Sequence, residues 1–127
     1  MTPTEPPNRR VVFLCRSPGR RAQIEPLLGA AETYPSAVDA CLAVARRPAG
    51  AVIVNLEDIE GAERDIVAAM RRARPDVRIY TIVKPEDEPL GRRLLRAGVA
   101  DYFVLPGDIG RLPQVLSAKC GEVRNAE

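Results

Sequence analysis

The sequence predicts an α/β fold: a doubly wound sheet of five parallel strands with helices on both faces. Two observations lead to it. Continuous apolar runs rich in β-branched residues, such as Val11-Val12-Phe13-Leu14-Cys15 and Ala51-Val52-Ile53-Val54, suit strands buried on both sides. Between such runs lie segments with apolar residues at helical spacing, so strand and helix alternate five times and each return to the sheet needs a right-handed crossover. At 127 residues the chain has the length of one domain.

Residues 1–8 carry three prolines and almost nothing apolar, and read as a flexible leader. The domain is expected over 9–120, with a short flexible tail over 121–127. Val11 to Cys15 is the first strand, broken by Arg16-Ser17-Pro18-Gly19. Ser17 suits an N-cap and Pro18 the first helical position. Pro26 falls inside the helix that reaches toward Leu28, where a proline costs about 3 kcal/mol. That helix is therefore expected to be short, kinked or late to start.

Ala31 to Tyr34 reads as a short second strand, and Ser36-Ala37-Val38-Asp39 has the form of a capping box. Ala37, Ala40, Cys41, Val44 and Ala45 then form an apolar helical stripe that ends at Arg46-Arg47-Pro48, with Cys41 a small core residue. The third strand, Ala51 to Val54, ends at Asn55 before an acidic loop from Leu56 to Gly61. Ala62, Ile66, Ala69, Met70 and Ala73 mark the next helix, stopped by Pro75. Val77 to Val83 is the fourth strand and Lys84 to Pro89 a polar loop. Leu90, Leu94 and Leu95 face inward from a helix that Gly98 ends as a C-cap. Tyr102 to Leu105 is the fifth strand, and Leu112, Val115 and Leu116 line a last helix from about Gly110 to Lys119.

Composition excludes several classes of function. There is no histidine, which removes the commonest general base and any Ser-His or Cys-His nucleophile pair. The net charge is +2 with acidic and basic residues interleaved, and aromatics make up 4%, so no nucleic-acid partner is expected. Seventeen of the nineteen basic residues are arginine, as a GC-rich genome produces. Cys15, Cys41 and Cys120 are odd in number and lack a C-x-x-C spacing, which argues against a disulfide framework or a zinc site. No run of eighteen apolar residues occurs and the start is polar, so neither a membrane span nor a secretory signal is expected. A cytoplasmic protein with no cofactor, no metal and no catalytic residue is the expectation.

Val38-Asp39-Ala40, the strand end from Val52 to Asn55, Glu60-Gly61, the turn Ala97-Gly98-Val99 and above all Asp101-Tyr102-Phe103-Val104-Leu105-Pro106 occur in a telling order. Together they resemble the receiver domain of response regulators, over nearly the whole chain after the leader. The resemblance implies a flavodoxin-like sheet of order 2-1-3-4-5. It also implies a phosphorylation site from which the chemistry is missing. Asn55 matches the aspartate that takes the phosphoryl group, and an amide forms no acyl phosphate. Cys15 and Arg16 match the acidic pair that holds Mg²⁺. Val83 matches the hydroxyl residue after the fourth strand, and Leu105 the lysine before the fifth-strand proline. Tyr102 matches the aromatic switch position. The first helix region is shorter than in the family, and the loop after Asn55 is shortened and lacks the family's proline.

The carboxyl ends of parallel strands are where ligands bind, so the loops after Cys15, Asn55, Val83 and Leu105 matter most. Arg16, Ser17 and Gly19 at a strand-to-helix turn, with Asn55 at the end of the third strand and Lys84 just past the fourth, form a candidate anion-binding group. The competing expectation is that Arg16 pairs with Glu57, Asp58 or Glu60, a protein cation in place of the lost metal, while Asn55 serves loop backbone and Lys84 is solvated. No Walker motif is present. Arg92, Arg93 and Arg96 with Leu90, Leu94 and Leu95 make the fourth helix amphipathic. The resemblance places partner contacts or a homodimer interface on the fourth helix, fifth strand and fifth helix. The function expected is a phosphorylation-independent pseudo-receiver that works by protein contacts, with a small-molecule or anion sensor at Arg16, Ser17, Gly19 and Asn55 as the alternative.

Overall fold

Five parallel strands hydrogen-bond in the order β2-β1-β3-β4-β5 in a computed structural model that describes residues 10–121, with side chains to Leu116. The strands are β1 (Val11–Leu14), β2 (Glu32–Tyr34), β3 (Ala51–Asn55), β4 (Arg78–Val83) and β5 (Asp101–Val104). The helices are α1 (Pro18–Ile24), α2 (Ala37–Arg46), α3 (Glu63–Ala73), α4 (Glu88–Leu94) and α5 (Arg111–Gly121). This is the expected doubly wound, flavodoxin-like sheet. The expected leader over 1–8 lies outside the described residues, as does the expected tail over 121–127 except for Gly121, which ends α5.

Period-two alternation divides the core into two layers. Val12, Leu14, Val52, Val54, Ile79 and Val83 point toward α2, α3 and α4. Phe13, Ile53, Tyr80, Ile82 and Phe103 point toward α1 and α5. Both strand faces are therefore dry, which is why β1 and β3 read as unbroken apolar runs.

Pro26 acts as its chemistry requires. α1 stops at Ile24, and Pro26 sits in a separate 3₁₀ turn, Glu25–Leu27, where its missing N–H is not needed. Gly98 follows another 3₁₀ turn, Leu95–Ala97, at φ +106°, a left-handed cap that favours glycine.

Some helix phases differ from the sequence reading. On α2 the buried residues are Ala40, Ala43 and Val44; Ala45 is exposed and Ala43 takes its place. The helix is apolar nearly all round, so alternation of small residues could not set its phase. Leu94, the last residue of α4, is buried with Gly91 one turn before it, while Leu95, the first residue of the 3₁₀ turn that follows, is exposed. The capping box is half made: Asp39 N–H donates to Ser36 Oγ at 3.3 Å, without the reciprocal bond. Among the described residues no helix is long and apolar enough to cross a membrane.

Candidate functional site

The carboxyl ends of β1 and β3 meet at a crest organised by Asp58. After Asn55 the chain winds through a 3₁₀ turn, Leu56–Ile59. Three residues per turn put Leu56 and Ile59 on one side, where both are buried, and leave Glu57 and Asp58 toward the crest.

Asp58 then collects the free donors of the crest. Its Oδ2 accepts from Arg16 N–H at 2.7 Å, from Ser17 N–H at 3.3 Å and from Asn55 Nδ2 at 2.9 Å. Its Oδ1 accepts from Ser17 Oγ at 2.8 Å. Ser17 stands at the N-cap position of α1, but its Oγ accepts no helix N–H there; the hydroxyl is turned to donate to the Asp58 carboxylate. Partial burial pushes the Asp58 carboxyl up, but the Arg16 N–H, the Asn55 amide and the two Ser17 donors outweigh it and hold the group below its ordinary range.

The cation expected here is the wrong arginine. Arg16 is exposed and its side chain makes no ion pair among the described residues; only its backbone N–H reaches Asp58. Arg20, on the first turn of α1, instead donates to Glu57 Oε2 at 3.0 Å. The β3–α3 turn is thus clamped to the β1–α1 segment twice, once through Asp58 and once through Glu57.

The remaining residues singled out by sequence divide cleanly. Cys15 is buried beside Asp58, its Sγ 3.5 Å from Ser17 O, and its thiol is pushed up to about 11, first by burial and then by the Asp58 charge. Asn55 is buried, and its Oδ1 finds no partner among the described residues. Val83 and Leu105 are joined through the backbone, Leu105 N–H donating to Val83 O at 3.0 Å, but both are core residues and their side chains lie in opposite layers. Lys84 stays on the loop, 3.9 Å from Glu86 and 4.0 Å from Asp87, and makes no hydrogen bond to Asn55. A Cβ on Gly19 would meet nothing within 4 Å, so no close backbone approach requires glycine there. Of the anion-binding group, only Arg16, Ser17 and Asn55 converge, and they converge on Asp58.

At the other end of the sheet, Tyr102 lies against the backbone of α4 at Gly91 and donates its hydroxyl to Glu88 Oε2 at 3.0 Å. Glu88 also pairs with Arg92 at 3.5 Å, whereas exposed Arg93 and Arg96 have no ion-pair partner among the described residues. Arg111 closes the edge, over the Phe103 ring at 5.0 Å and 2.8 Å from Asp101. Among the described residues no group of three His, Cys, Asp or Glu side chains is placed to hold a metal ion.

No protein-family model matches the sequence, and no curated protein is similar to it. Solved structures are similar in fold. The N-terminal signal receiver domain of a two-component response regulator from Bacteroides fragilis superposes with a TM-score of 0.78 at 16% identity, over 90% of this chain and 98% of that one. A CheY-like protein, TadZ, from Pseudomonas aeruginosa PAO1 gives 0.71 at 19% identity, over 88% and 99%. The REC domain of AraT, a response regulator from Geobacillus stearothermophilus, gives 0.69 at 18% identity, over 87% and 91%. At these identities the shared property is the receiver fold.

Proposed function

We propose that this chain is a pseudo-receiver: a receiver-type domain of bacterial, cytoplasmic signal transduction that works through protein contacts, without phosphorylation, cofactor or catalysis. One observation carries the proposal. The pocket that would serve a phosphoryl group is filled by the protein's own Asp58 carboxylate, which takes the donors of Arg16, Ser17 and Asn55.

The groups at the crest do not fit Mg²⁺. That ion demands near-octahedral oxygen ligands. The crest offers a thiol that stays protonated well above neutral pH, an arginine, an amide and two carboxylates already engaged, Asp58 accepting hydrogen bonds on both oxygens and Glu57 paired with Arg20. An external anion meets the same obstacle, since it must displace Asp58 before it reaches the donors.

The partner-binding face is assigned to α4, β5 and α5, where Arg93 and, on the turn that follows α4, Leu95 and Arg96 are exposed. Contacts there run through side chains. The N–H groups of Tyr102 and Val104, which alternate away from β4, already donate to Asp101 at 2.8 Å and Asp108 at 2.9 Å.

Intact-mass spectrometry after incubation with acetyl phosphate and Mg²⁺ tests the proposal. The expected spectrum holds unmodified protein only; a stoichiometric phosphoryl adduct overturns it.

A further inference from the structure

We infer that α2 is a self-association face, on which a second copy of this chain packs antiparallel across a two-fold axis. The inference does not depend on the pseudo-receiver reading. Among the described residues the exposed large apolar side chains are Val38 (67% exposed), Leu42 (43%) and Leu95 (38%), and two of these three lie on α2. Val38, Leu42 and Ala45 recur at spacings of four and three, so they form one stripe, directly opposite the buried Ala40, Ala43 and Val44. A helix apolar on both faces and covered on one lacks a partner for the other.

The charges beside the stripe identify that partner as another α2. Asp39 and Arg46 are seven residues apart, two helical turns, and share the flank that faces the edge strand β2. Neither side chain has an ion-pair partner among the described residues; both line a shallow cavity of about 320 Å³ with Arg10, Glu32 and Tyr34. Leu42 lies between them, three residues after Asp39 and four before Arg46. An antiparallel two-fold centred on Leu42 keeps that flank on the same side in both copies. With a rise of about 1.5 Å per residue, it brings Asp39 of one copy to within about 1.5 Å of the level of Arg46 of the other, twice over. Such self-complementarity is what an isologous contact requires. A parallel two-fold would carry the Asp39–Arg46 flank to opposite sides of the contact in the two copies and form no such pairs. Because β2 and β5 are opposite edges of the sheet, the pairing leaves the α4–β5–α5 face free.

Sedimentation velocity over a concentration series tests this, with circular dichroism as a check on folding. The wild-type chain should show a concentration-dependent monomer–dimer equilibrium. Leu42→Asp should remain monomeric. Asp39→Arg and Arg46→Asp should each weaken the dimer about tenfold or more, and the double swap should restore it to within about threefold. Arg93→Glu with Arg96→Glu should leave it unchanged. A chain monomeric at every concentration, a dimer that survives Leu42→Asp, a double swap that stays monomeric, or a dimer broken by the α4 changes instead overturns the inference.

Discussion

Asn55 Nδ2 lies 2.9 Å from Asp58 Oδ2, so the residue at the end of β3 donates to a carboxylate three positions later and presents no acid of its own. Removing the acceptor strands several donors at once, including the buried amide. Asp58→Ala should therefore cost roughly 1–3 kcal/mol in urea unfolding. The carboxyl titrates below its ordinary value of 3.8 in the folded protein. Its contribution is thus present above that value and is lost as pH falls through the lower, folded one. Asp58→Asn should flatten the acid limb of the stability–pH curve; an unchanged limb would remove Asp58 from the role assigned to it.

Restoring an aspartate at position 55 should not restore an active receiver. Asn55→Asp replaces a donor with a second carboxylate at hydrogen-bond distance from the first, in a buried position. Like charges so placed repel, and roughly 2–4 kcal/mol of stability should be lost at neutral pH, less as the pair takes up a proton. Thermal melts across pH check the direction. Acetyl phosphate should still leave no adduct.

Cys15 should behave as a core residue. Burial and the Asp58 charge push its thiol up to about 11, so little thiolate exists at neutral pH. Ellman's reagent should label Cys15 in the native protein at the rate of global or local opening, read by peptide mass mapping. Prompt labelling would mean that the crest is open. Asp58→Ala should speed the labelling, because the clamp over Cys15 is weakened.

Gly91 and Tyr102 should be energetically coupled. A Cβ at Gly91 would lie 3.1 Å from Tyr102 Cγ, closer than the ring tolerates without moving. In the wild-type background Gly91→Ala should gain little or lose stability. In a Tyr102→Ala background the same change should gain about 1 kcal/mol, the ordinary advantage of alanine in a helix. A double-mutant cycle with no coupling would mean that Tyr102 does not rest on α4.

The sheet was legible because both of its faces are dry. Val11–Leu14 and Ala51–Val54 must be apolar at every position, and such runs are hard to mistake. The hub of the crest was less so. Asn55 stands out by its place at a strand end, yet in the sequence Asp58 is only one of three acids that could face Arg16. Its signal is local: a carboxylate three residues after an amide, on a turn whose Leu56 and Ile59 point inward. Its partners Arg16 and Ser17 lie more than forty positions away, and backbone donors leave no trace in residue type. That Arg20 and not Arg16 carries the ion pair depends on where α1 begins its first turn. The phase of α2 was hidden by its own composition, since Val38 and Leu42 are as apolar as the residues it buries.

The occupancy of the crest is tested most directly by following the backbone amides of Arg16 and Ser17 in ¹H–¹⁵N spectra during a titration with Mg²⁺. Both amides should stay in place, held by Asp58, while exposed carboxylates elsewhere give only weak, non-saturating shifts. Saturable movement of the Arg16 and Ser17 amides together with the Asn55 side-chain amide would show that Asp58 releases its donors to ligate a cation, and that the crest is a working metal site after all.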